Sequence, residues 1–150
     1  MLRRLFAAAV VMTGTLLVPS SAQAACTIST TGVSFGNYNV FSVSPTDSTG
    51  SITFKCGFFD FNIRVALTQG QSGTYFPRAM RKGSESLPYN LFRDASRTSI
   101  WGNGTGGTSI YTNIWPVGQT ITLTIYGRVA PGADVSAGTF TDSVTAVINF

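Results

Sequence analysis

Thr120-Ile121-Thr122-Leu123-Thr124-Ile125-Tyr126 alternates polar and apolar side chains at every step. A β-strand turns successive side chains to opposite faces, so this run builds one apolar face (Ile121, Leu123, Ile125) and one face suited to water. A helix would scatter the same residues around its axis. The pattern recurs along the chain. Ser51-Ile52-Thr53-Phe54-Lys55-Cys56 shows it, and Phe61-Asn62-Ile63-Arg64-Val65-Ala66-Leu67 places Phe61, Ile63, Val65 and Leu67 together. The longest such run is C-terminal, Phe140 to Phe150, where Val144, Ala146, Ile148 and Phe150 share a face. Turn-forming clusters separate these runs: Ser44 to Gly50, Gln69 to Gly73, and Pro131-Gly132-Ala133-Asp134. No window sustains a 3.6-residue apolar period, and the plentiful Thr, Val, Ile and Phe favour a pleated surface. The reading is an all-β sandwich in a single domain.

The N-terminus obeys other rules. Met1-Leu2-Arg3-Arg4 is basic, Leu5 to Val18 is largely apolar, and Ala22-Gln23-Ala24 forms a small-residue cleavage site. This is the composition of a secretory signal peptide, residues 1–24, which leaves a mature domain of residues 25–150. Gln23 stands where a lipoprotein signal carries an aliphatic residue, and Arg3-Arg4 is an ordinary basic start. The mature chain is expected to be exported, without membrane insertion after cleavage. The chain holds ten Lys and Arg against six Asp and Glu, so losing Arg3 and Arg4 lowers the net charge from +4 to +2. That weak excess argues against nucleic-acid binding. Arg78-Ala79-Met80-Arg81-Lys82, the one basic cluster, reads as a solvated loop. Cys26 and Cys56 are the only cysteines. In an oxidising compartment such a pair reads as a disulfide, contributing about 3–4 kcal/mol by constraining the unfolded chain.

Catalysis finds little support. The sequence has no histidine, which removes Ser-His-Asp and Cys-His arrangements and any imidazole metal cluster. The remaining acids are Asp47, Asp60, Glu85, Asp94, Asp134 and Asp142, mostly in turn-like sequence. Neither a catalytic residue, a metal ligand nor a cofactor is assigned. Gly102-Asn103-Gly104-Thr105-Gly106-Gly107 fits Gly-x-Gly-x-x-Gly, but strand-like Thr108 to Thr112 follows it where a dinucleotide site needs a helix. It reads as a glycine-rich hairpin loop. Trp101, Tyr111 and Trp115 around that loop form a candidate ligand platform, the basis of an alternative reading as a small secreted carbohydrate-binding, lectin-like module. In a domain of this size most large aromatics instead belong to the core.

Several motifs, in order, resemble the spore coat protein U domain family, which includes subunits of archaic chaperone–usher pili. They are Val33-Ser34-Phe35-Gly36-Asn37-Tyr38, then Ser48-Thr49-Gly50-Ser51-Ile52 before Cys56, then Arg78-Ala79-Met80. Leu87-Pro88-Tyr89-Asn90-Leu91-Phe92-Arg93-Asp94 with Arg97 follows, and then the Trp101 to Gly107 segment. Tyr126-Gly127-Arg128-Val129 and Ala137-Gly138-Thr139-Phe140-Thr141-Asp142, with a terminal Phe150, complete the series.

This resemblance implies an immunoglobulin-like sandwich that lacks one strand, completed by a donor strand from a partner. It implies a structural subunit of a surface pilus or spore coat-like assembly, serving adhesion or biofilm formation. The implied partners are a periplasmic pilus chaperone, an outer-membrane usher and neighbouring pilus subunits. Val144, Ala146, Ile148 and Phe150 are expected to form the strand that walls the acceptor groove. A donor strand takes roughly 9–11 residues. Only Ala25 precedes Cys26 after the expected cleavage, whereas polymerising pilins of this group carry an extension there. The expectation is therefore a subunit that accepts a strand and gives none from this end.

Overall fold

The computed structural model describes residues 26–57, 60–114 and 118–150. The expected signal segment 1–24, Ala25 and Trp115 lie outside the described residues. Eight strands follow one another: β1 (Thr27–Thr31), β2 (Thr46–Lys55), β3 (Ile63–Leu67), β4 (Arg78–Lys82), β5 (Glu85–Phe92), β6 (Tyr111–Asn113), β7 (Thr120–Val129) and β8 (Ala146–Asn149). A single 3₁₀ turn, Gly70–Ser72, is the one helical element among the described residues. Two sheets form, a five-stranded one ordered β1-β2-β7-β5-β4 and a three-stranded one ordered β6-β3-β8.

The central ladder joins β2 to β7 in antiparallel register, from Thr46 opposite Val129 to Lys55 opposite Thr120. The alternation read from the sequence selects the faces. Ile52 and Phe54 of β2, Ile125 and Val129 of β7, and Leu87, Tyr89 and Leu91 of β5 turn inward to meet Ile63, Val65 and Leu67 of β3. Thr53 and Thr122, directly opposite on the outer face, share a hydroxyl–hydroxyl bond of 3.0 Å. Cys26 and Cys56 are joined as a disulfide that ties the start of β1 to the end of β2.

Three local expectations are corrected. Ser44 to Gly50 reads as a turn, yet β2 begins at Thr46, because Asp47 grips Arg128 of β7 through two bonds of 2.7 and 2.8 Å. Arg78 to Lys82 is strand β4, paired with β5 through a turn at Gly83, whose φ of +57° suits glycine. Its first residue, Arg78, is fully buried. The C-terminal run does not stay one long strand. Thr141 exchanges backbone hydrogen bonds with Arg81 of β4, in the five-stranded sheet, whereas Ala146–Asn149 pairs with β3 in the other. The chain crosses between sheets from Thr141 to Ala146, so only the last part remains strand.

Candidate functional site: an open groove between the sheets

The two edge strands β1 and β8 lie at opposite ends of the chain and flank a groove of about 1270 Å³. One wall is the stretch from Ile28 to Phe41; the other is the stretch from Val135 to Ala146; Ile52, Leu87, Leu91 and Ile125 form the floor. Within the described residues β1 pairs with β2 alone and β8 with β3 alone. Each rim therefore presents a strand edge with unused backbone donors and acceptors. Val33, Phe35, Met80, Val135, Phe140 and Val144 contribute half-buried apolar surface packed against the core.

The first wall is seated by two glycines. A Cβ on Gly127 would stand 2.7 Å from Val33 and 2.8 Å from the Phe35 ring; one on Gly50 would stand 2.5 Å from the Thr31 carbonyl oxygen. Glycine at these inward positions of β2 and β7 lets Val33 and Phe35 lie directly on the sheet, where Phe35 meets Tyr89 edge-on at 5.8 Å. Side chains tie the second wall down. The Ser136 hydroxyl donates to Glu85 at 2.7 Å, and Lys82 donates to the Ala137 carbonyl at 2.7 Å and to Ser136. The bond from Ser136, and then that from Lys82, hold the Glu85 carboxyl below its ordinary range.

Of the residues lining the groove, Asp142 alone carries a charge. Its carboxylate accepts from Gln71 N–H (2.8 Å), Ser143 N–H (2.7 Å) and the Tyr89 hydroxyl (2.7 Å). Burial, followed by the bond to Asp142, raises the Tyr89 phenol well above its ordinary value. Next to this cluster Arg78 donates to the Thr68 and Trp101 carbonyls and to the Asn90 side-chain oxygen, with its guanidinium 4.9 Å from the Tyr75 ring centre.

The expected site residues fall in different places. Val144 and Ala146 line the groove; Ile148 is half-buried against the core farther along β8, and Phe150, 53% exposed, lies beyond the strand. The first wall went unread as a wall, although small residues at inward strand positions (Gly50, Gly127) are a signal that something packs closely there. Of the aromatic trio, Trp101 and Tyr111 fall within the described residues. Trp101 is 1% exposed and donates its indole N–H to the Val65 carbonyl at 2.9 Å, so it offers no face to a ligand. Tyr111 is half-buried, edge-on to Phe54 and under Arg93.

The six acids do not converge. Asp47 is paired with Arg128 and lies 3.3 Å from Arg97, contacts that hold its carboxyl below the usual range, the Arg128 hydrogen bonds foremost. Asp94 is held far below that range, first by Ser96 and then by Thr98 and Ser99 of its own loop. Asp60 is buried and accepts from Gly57 N–H at 2.7 Å. It stands near both cysteine sulfurs, but these are spent in the disulfide and are not thiolate ligands. The groove thus offers apolar surface and strand edges with one carboxylate, and no pair of acids for proton transfer. No helix among the described residues is long and apolar enough to cross a membrane.

A family model for the Spore Coat Protein U domain matches residues 12–147. The chain belongs to that family. Among curated proteins it is similar to "Protein U" of Myxococcus xanthus, 33% identical over 110 residues, which is 68% of this chain and 59% of that protein. Among solved structures it resembles a chain in the crystal structure of the CsuC–CsuE chaperone–tip adhesion subunit pre-assembly complex, from the archaic chaperone–usher Csu pili of Acinetobacter baumannii. That match has a TM-score of 0.60 and 26% identity, and covers 85% of this chain and 40% of the other. The chain thus covers less than two thirds of the length of either relative. The likeness agrees with the immunoglobulin-like architecture of the two sheets.

Proposed function

We propose that this protein is a non-catalytic structural subunit of a bacterial surface assembly, a chaperone–usher pilus or a related coat, completed by a strand from a partner. The observation that carries the reading is the apolar groove bounded by two strand edges that end their sheets. An extended segment laid there would satisfy both edges and cover the half-exposed Val33, Phe35 and Val144. Membership of the family and the likeness to a chain of a chaperone–subunit complex support it. On this reading residues 1–24 direct export, a periplasmic chaperone fills the groove, an outer-membrane usher passes the subunit outward, and a neighbouring subunit supplies the final strand. The assembly serves adhesion or biofilm formation. The carbohydrate-binding alternative loses one of its three aromatic residues with the burial of Trp101.

Co-expression tests the reading. Produced alone in a periplasm, the chain should be degraded or aggregate; produced with a pilus chaperone encoded beside it, it should accumulate as a one-to-one complex. A stable monomer that unfolds cooperatively and captures no strand would overturn the proposal.

A further inference from the structure

Among the described residues, hydrogen bonds join the first wall, near its Phe41 end, to the segment that leads into the second wall. There the Tyr38 hydroxyl, on the first wall, donates to the Ala130 carbonyl at 3.0 Å and accepts from Ala133 N–H at 2.9 Å. Ala130 and Ala133 flank the Pro131-Gly132 turn, from which the second wall starts. A single side chain thus joins segments more than ninety positions apart in sequence, using both its donor and its acceptor capacity. The bonds holding each wall to the five-stranded sheet lead towards this point. Ser48 donates to the Ser34 carbonyl, at the level where β2 faces Gly127, and Ser136 is fastened by Glu85 and Lys82. At the opposite end, near the disulfide, β1 and β8 share no ladder among the described residues.

We propose that Tyr38 is a clasp that closes one end of the groove and sets where an incoming strand stops. The inference rests on the strand-accepting reading above and adds a polarity to it: chain runs out freely past the disulfide end and is blocked at the Tyr38 end. The wall from Ile28 to Tyr38 offers room for roughly 10 residues of extended chain. The hydroxyl is a specificity element for register, because a one-residue slip would turn the strand's apolar face out of the groove. Its loss would remove two hydrogen bonds across the gap while leaving the ring in place.

The test uses the full exported chain, released from its chaperone complex, and a synthetic ten-residue peptide of alternating Val and Thr, with a fluorescein group on either its N- or its C-terminus. One labelled form should bind as well as the unlabelled peptide, and the other at least about tenfold more weakly, a difference of about 1.4 kcal/mol. Tyr38→Phe should shrink that asymmetry, and Tyr38→Ala should abolish it. Hydrogen exchange at the Ala133 amide should quicken in Tyr38→Phe, which shows that the clasp has opened in a folded chain. Equal binding of both labelled forms to the unaltered protein would overturn the clasp while leaving strand acceptance intact. Asymmetry that persists in Tyr38→Ala would do the same. Failure of every form to bind would overturn the strand-accepting reading, and the clasp with it.

Discussion

Arg78 and Val144 belong to the same sandwich, yet their surroundings differ in kind. Arg78 is fully buried, and its guanidinium is met by two backbone carbonyls, an amide oxygen and an aromatic ring. Val144 is half-buried on a groove wall that no strand among the described residues covers. The two lie close together, with Arg78 on the Thr68 carbonyl and Thr145, beside Val144, bonded to the same residue. At Arg78 a polar group is buried and its hydrogen bonds are supplied internally. At Val144 apolar surface stays half-exposed.

Substitution at Arg78 should show the largest effect on this contrast. Arg78→Met strands the Thr68 and Trp101 carbonyls in the interior and should cost about 3–5 kcal/mol in urea unfolding of the subunit released from its chaperone complex. A loss below about 1 kcal/mol would mean that the stranded carbonyls reach water or other donors. Removing the disulfide in a Cys26→Ser, Cys56→Ser double variant should cost about 3.5 kcal/mol for a loop with 30 residues of separation, measured the same way. Because β1 is a rim of the groove, peptide capture should weaken as well. Val144→Lys should behave in the opposite manner, changing stability by less than about 1 kcal/mol while lowering strand capture at least about tenfold, since the charge is buried only when a strand arrives. Equal losses in stability and capture would erase the distinction between Arg78 and Val144.

Two titrations sharpen it further. Tyr89 has a folded-state pKa raised above its unfolded value, so its stabilisation is complete below about pH 10 and is lost as the pH rises beyond that. Tyr89→Phe should flatten the alkaline limb of the stability curve. The smallest effect belongs to Asp47. Its carboxyl pKa is depressed by half-exposed Arg128, so the pair contributes above about pH 4 and fades as the pH falls. Asp47→Asn should cost less than about 1 kcal/mol.

Much of the fold was legible because the alternation in Ser51–Cys56, Phe61–Leu67 and Thr120–Tyr126 reports directly which face is wet. The disulfide followed from counting. The sequence was misleading where tertiary partners overrode local character. Arg78 looks solvated until Thr68, Asn90 and Trp101 are brought around it from three other segments. Phe140 to Phe150 alternates like one strand, but alternation does not say which sheet each half joins. Trp101 could be core or surface by composition, and the Val65 carbonyl waiting for its N–H decides. The first groove wall was least legible, since Val33, Phe35 and Tyr38 lie in an irregular segment whose place depends on Gly50 and Gly127.

The β2–β7 ladder sets a clock. Its partners lie at Thr46–Lys55 and Thr120–Val129, and a chain emerging from a ribosome or a translocation pore with its N-terminus first cannot begin this pairing until β7 is out. Pairing across so long a stretch is slow to find. Through that interval β2 lacks its β7 neighbour in the sheet, and β8, the last of the described strands, completes the groove only after the other described strands are out. Any helper that recognises the finished groove therefore arrives late by construction, and protection of the nascent chain must come from something that reads an unpaired strand instead.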